Sequence, residues 1–223
     1  MDGNLLKSNN FVIQKTSMLF VVLATAFVLS TLATPYPFSW AVKLLPMLLL
    51  IGVAIQSLGF SHENRYFIIG LIASACGDFI LDFNRDGWFL FGLGAFFIAH
   101  LFYLASLKPQ FKKLAQVNYL MVLFIYLVYG FVMLLALVDG LGEMLVPVIA
   151  YMTILLIMAL ATVLSNKANN WLIIGGISFV LSDSLIGIDK FYMPIEQSHF
   201  FIMITYYLAQ FSLLKGFVKA KAQ

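Results

Sequence analysis

Two aspartates stand inside runs of apolar residues: Asp78, preceded by Ala75, Cys76 and Gly77, and Asp183, preceded by Val180, Leu181 and Ser182. A carboxylate in hydrocarbon costs several kcal/mol, so such a group either reaches water, holds a proton, or is kept for a task. A pair of carboxyl groups is the minimum equipment for general acid-base chemistry, in which one group gives a proton and the other takes one. The structural alternative is that they tie neighbouring helices together, a role more often filled by Ser, Thr or Asn. Asp82 lies one turn above Asp78 on the same face, and Asp189 lies near the end of the run that holds Asp183. Both are close to the membrane surface, where solvation or helix capping competes with catalysis.

Other polar side chains fall within reach of the same depth. Lys43 is roughly 6 Å inside the end of its run at 1.5 Å per residue, and either snorkels to the headgroups or turns inward as a counter-ion to the aspartates or to a phosphate. Tyr151, roughly 9 Å below the surface by the same rise, is a hydrogen-bond donor for the same region. Phe96, His100 and Tyr103 form one helical stripe; packing and a supporting role are both open to them. Tyr207 and Gln210 share a face further on, and Gln210 in a bilayer needs a partner. The sequence holds no serine elbow, Walker loop or metalloprotease helix. Its single cysteine, Cys76, and its histidines, His62, His100 and His199, are too dispersed for a recognisable metal site, so no metal or cofactor is expected.

The elements that must position these groups follow from composition. Of 223 residues, 62% are hydrophobic and only 10% charged, against roughly a quarter charged in soluble domains. The chain reads as all-α: a polytopic membrane helical bundle, one domain over 1–223, with eight spans near 16–34, 39–60, 66–83, 88–107, 118–138, 145–165, 171–188 and 198–218. The first follows Lys7 and Lys15 like a signal peptide, but seven further spans come after it and it reads as a retained helix. With both termini cytoplasmic, ten of the 13 Lys and Arg fall inside and only Arg85 and Lys190 outside, as the positive-inside rule requires. A net charge of +3 arranged in this way gives no reason to expect nucleic acid.

The chain also resembles itself. Phe96, Phe97, Ile98, Tyr103, Leu104 and Ala105 match Phe200, Phe201, Ile202, Tyr207, Leu208 and Ala209, and Ile68, Ile69, Gly70 and Asp78 match Ile173, Ile174, Gly175 and Asp183. Pro46 and Pro147 recur at nearly the same offset. The expectation is two four-helix repeats, approximately 16–107 and 118–218, entering the membrane in the same sense about a pseudo-two-fold axis along its normal. Asp78 and Asp183 are then equivalent, both in the outer half, and face one cavity if the third and seventh spans line the axis.

These residues carry a resemblance to a known family. Lys43 with Pro46, Gly77-Asp78, then Gly92, Phe96, His100 and Tyr103, then Ser182-Asp183 with Asp189 and Phe191, and finally Tyr206, Tyr207, Ala209 and Gln210 occur in order over most of the chain. The sequence is similar in this to the lysoplasmalogenase, or YhhN-like, family of eight-span membrane proteins. The resemblance implies hydrolysis of the vinyl ether bond of a lysophospholipid to a fatty aldehyde and a glycerophospho-headgroup, with Asp78 and Asp183 as catalytic residues. It does not carry Asp82.

A vinyl ether is cleaved by protonating its β-carbon and capturing the oxocarbenium ion with water, which two carboxyl groups can serve as they do around the related ion in glycosidases. Lys43, Asp82, His100, Tyr103, Tyr151, Asp189, Tyr207 and Gln210 form the expected supporting set. The rival reading is a proton-coupled carrier of a small molecule or lipid, since duplicated halves with intramembrane acids are also carrier architecture; a lipid-binding scaffold is the third. The expected partners are lysophospholipid and membrane lipids. The expected location is a bacterial cytoplasmic membrane, with both termini cytoplasmic.

Overall fold

A backbone in lipid has to satisfy its hydrogen bonds within its own segment, and the apolar runs accordingly become helices. The computed structural model describes residues 2–61, 64–84 and 87–221; His62, Arg85 and Asp86 lie outside the described residues. Among these, the α-helices are α1 (Asp2–Ser30), α2 (Ser39–Leu58), α3 (Arg65–Phe83), α4 (Phe89–Leu107), α5 (Val117–Leu141), α6 (Leu145–Leu164), α7 (Asn170–Phe191) and α8 (Ser198–Lys221). The fold is all-α, with no strand among the described residues.

Among the described residues, seven helical stretches are long and apolar enough to cross a membrane. One of them, Asn118–Leu164, covers 47 residues and contains both α5 and α6, separated by one 3-10 turn over Gly142–Met144. Gly142 has φ +48° there, a left-handed conformation that costs glycine little, and α5 and α6 lie against each other on either side of it. α7 runs three residues beyond its expected end at 188 and so carries Asp189 and Lys190 inside the helix.

α3 packs along α4, and α7 along α8, as the most extensive pairings. Small residues permit it: a Cβ on Gly77 would stand 2.7 Å from the Phe96 ring, and one on Gly175 would stand 2.8 Å from Leu213. Without a hydrophobic drive between helices in lipid, such close packing is a principal source of association. α5 turns Phe124, Leu127, Phe131 and Leu135 outward, each more than half exposed, as a lipid-facing helix does.

The end of the bundle opposite the α5–α6 turn is closed by lysines. Lys221 Nζ donates to the Ser57 and Leu58 carbonyls ending α2 at 3.0 and 2.9 Å, Lys167 Nζ to Ser106 O in the last turn of α4 at 3.0 Å, and Lys113 Nζ to Ser165 O after α6 at 3.0 Å. Orphan carbonyls at helix C-termini attract cations, so these lysines cap helices as well as biasing charge. Orientation is tested at the other end. Cysteine placed singly at the exposed positions Asn84 and Glu143, on a Cys76→Ser background, should react with an impermeant thiol reagent on intact cells. Labelling of either site only after permeabilisation overturns the cytoplasmic-termini topology.

Candidate active site

Toward the α5–α6 end, the helices part around a cavity of about 980 Å³ lined by Asp78, Asp183, Lys43, Asp189, Lys190 and His199 with apolar neighbours. The two intramembrane aspartates thus open on one space. Asp78 lies roughly 8 Å from the end of α3 and Asp183 roughly 12 Å from the end of α7, at the helical rise per residue.

Asp78 is nearly sealed, at 2% exposure. Lys43 from α2 places Nζ 3.4 Å from Oδ1, so the lysine turns into the bundle rather than toward the headgroups. The Tyr206 hydroxyl of α8 donates to Oδ2 at 2.5 Å. Behind it runs a buried chain: Tyr103 donates to Gln210 Oε1 at 2.8 Å, Gln210 Nε2 donates to the Tyr206 hydroxyl at 3.2 Å, and Ser74 meets the Tyr103 hydroxyl at 3.1 Å. Each of these donors points toward Asp78, which is left as the acceptor at the end of the row. Tyr103 and Gln210 therefore hold the site from behind and do not line the cavity. Tyr207 donates to the Lys43 carbonyl at 2.8 Å and also stands behind the wall.

Asp183 has different company. Tyr151 of α6 donates to its Oδ2, and His100 Nε2 of α4 lies 3.6 Å from the same oxygen and 3.5 Å from the Tyr151 hydroxyl. His100 is fully buried, stacked on Tyr151, and its Nδ1 has no hydrogen-bond partner. Among the described residues no Lys or Arg stands within ion-pair distance of Asp183.

Asp82 and Asp189 are tied to neighbouring segments. Asp82 accepts from Ser39 Oγ at 2.5 Å and faces His199 Nε2 at 3.9 Å, linking the starts of α2 and α8. Asp189 accepts from Ile195 N and Ser198 Oγ, both at 2.8 Å, pinning the turn that leads into α8. Among the described residues no three His, Cys, Asp or Glu side chains gather to hold a metal ion.

Sequence reasoning over the site residues did not single out Lys190 or His199, and Tyr206 entered only through the resemblance. A tyrosine in an apolar run carries no signal of its own, and His199 reaches the cavity because the start of α8 faces Asp82 of α3.

The profile of the YhhN family matches residues 38–217. A protein of Mycobacterium tuberculosis named lysoplasmalogenase is 29% identical over 175 residues, covering 77% of this chain and 67% of its own. The human lysoplasmalogenase TMEM86B is 32% identical over 178 residues, 78% of this chain and 72% of its own. The human lysoplasmalogenase TMEM86A is 29% identical over 201 residues, 85% and 82% respectively. No solved structure matches the chain.

Proposed function

The chain belongs to the YhhN family, and from that premise we propose that it is a membrane hydrolase cleaving the vinyl ether bond of lysoplasmalogens by carboxyl acid-base catalysis. The relatives named lysoplasmalogenase support the reaction. The observation that carries the mechanism is that Asp78 and Asp183 line one cavity in unlike surroundings.

The surroundings divide the roles. Asp78, 3.4 Å from the Lys43 ammonium, acts as the carboxylate of an ion pair. Asp183, beside a phenol and an imidazole and with no Lys or Arg within ion-pair distance among the described residues, is assigned the part of the acid. The two-repeat reading is supported by packing, since α2 lies against α3 and α8 while α6 lies against α7 and α4. Counting from Pro46 and Pro147, the position matching Lys43 is Met144. The two matched acids thus differ in that, among the described residues, a lysine stands beside Asp78 and an imidazole beside Asp183.

In the reaction, the Asp183 proton passes to the β-carbon of the alkene, whose π electrons form the new C–H bond. The α-carbon becomes an oxocarbenium ion, drawing on the ether oxygen lone pair. Asp78 takes a proton from water as that oxygen bonds to the α-carbon. The hemiacetal then collapses: its hydroxyl proton returns to Asp183, the carbon to glycerol-oxygen bond breaks, and Asp78 returns its proton to the departing alcohol. Aldehyde and glycerophospho-headgroup leave, and both carboxyl groups are restored. Preorganised donors around each acid supply the electrostatic part of the catalysis.

Purified protein in detergent, with no ion gradient, no ATP and excess EDTA, should release fatty aldehyde from an alkenyl lysophospholipid. Substrate recovered intact, with no aldehyde released, overturns the hydrolase reading. Activity lost to EDTA and restored by zinc overturns the two-carboxyl mechanism.

A further inference from the structure

A second cavity, of about 700 Å³, lies between α4, α5, α6 and α7. Its character is opposite to that of the first. Apart from Asp183 and the Tyr151 hydroxyl, its polar lining groups are Tyr129 and Ser184, which hydrogen-bond each other at 2.7 Å. The rest is Met, Leu, Val, Ile, Phe and one glycine, Gly187.

The two cavities share Asp183, with Phe89 and Phe96 also common to both walls. Asp78, Lys43, Lys190 and His199 line only the polar one. The Lys190 ammonium stands 4.6 Å over the Phe89 ring, which fixes a cation on the polar side of the shared wall.

We propose that the apolar cavity seats the first part of the substrate's hydrocarbon chain, with the headgroup phosphate among Lys43, Lys190 and His199 and the vinyl ether at the junction beside Asp183. This rests on the hydrolase reading and deepens it. A single-chain ether lipid changes from polar to apolar at the bond that is cut, and the molecule's two cavities change character at Asp183. The β-carbon lies on the chain side of that bond and the ether oxygen on the glycerol side. An acid lining both cavities therefore faces the β-carbon, while a base lining only the polar one faces the water. The walls supplied by α5 and α6 run over residues 129–137 and 148–156, roughly 12 Å at the helical rise. A long chain is longer than this, so its tail leaves between α5 and its neighbours into lipid.

The seat is read directly with a saturated alkyl ether lysophospholipid, which the mechanism does not cleave, carrying a diazirine at the sixth chain carbon. Photolysis with the full protein in detergent should place adducts on α5, α6 and α7, centred on Met133, Met152 and Val180. Adducts spread over the outer surface, or confined to other helices, overturn the proposal. Separately, Val180→Phe and Met133→Trp, which fill the cavity from opposite walls, should lower the preference for hexadecenyl over butenyl substrate by about tenfold, the worth of roughly two buried methylenes. An unchanged preference in both variants overturns it as well. The failures are distinct: aldehyde release without adducts in this cavity removes the chain seat alone, whereas adducts here without aldehyde release remove the hydrolase reading.

Discussion

Asp183→Asn is expected to abolish aldehyde release while the protein melts as the parent does. Asn has the shape of Asp and still accepts from Tyr151, but it has no proton to give to carbon. General acid-base catalysis contributes about 100-fold or more, so the loss should be at least that large. Asp78→Asn should be as inactive, with one difference that the geometry imposes: it leaves the buried Lys43 ammonium without its counter-charge. The clean version is therefore Asp78→Asn on a Lys43→Met background, compared with Lys43→Met alone. Because members of a catalytic unit are not additive, Asp78→Asn/Asp183→Asn should cost no more than either single change. Asp82→Asn and Asp189→Asn serve as controls. They weaken the ties to Ser39 and to the turn before α8, so their losses should fall on stability, about 1–3 kcal/mol for hydrogen bonds to a charged group. If Asp183→Asn melts like the parent and keeps more than about a tenth of its rate, the pair is structural and the acid lies elsewhere.

The spans were legible because hydropathy over about 20 residues is set by the bilayer and needs no tertiary information. Boundaries were less so. α7 continues through Ile188, Asp189 and Lys190 because polar residues at the membrane surface need not end a helix, and α5 and α6 fall within one long apolar stretch divided by Gly142–Met144. Asp78 and Asp183 stood out because a charge in an apolar run is conspicuous by itself. Lys43 showed its depth but not its direction: snorkelling and inward pairing need the same sequence, and only the approach of α2 to α3 and α8 separates them. Tyr206 was hidden among ten tyrosines. Its meaning comes from a residue 128 positions away. The lysines expected on the cytoplasmic side carried a charge bias that was readable, while their bonds to carbonyls at the ends of α2, α4 and α6 were not, because those helix ends meet them only in the packed bundle.

Lys43→Met should be strongly destabilising, because it removes one partner of a buried pair and leaves the other. Lys43 is 4% exposed and Asp78 2%, with Nζ 3.4 Å from Oδ1. Breaking such a pair from one side costs about 3–5 kcal/mol, whereas replacing both partners by groups of similar volume is often close to neutral. The double variant Lys43→Met/Asp78→Asn should therefore recover most of the stability that Lys43→Met loses, although it remains inactive. Unfolding in mixed micelles of rising SDS content measures all four members of the cycle, and the coupling term isolates the pair from whatever each substitution does by itself. The same cycle separates the ion pair from the hydrogen-bond row that ends on Asp78. Gln210→Leu removes the amide between Tyr103 and Tyr206 without touching Lys43, and the difference between its effect on the parent and on the Lys43→Met background measures how far the row and the ion pair couple through Asp78. If Lys43→Met melts like the parent and the double variant is no more stable than the single one, Lys43 does not balance Asp78. The assignment of Asp78 as the standing carboxylate then fails, and with it the reason for giving the proton to Asp183.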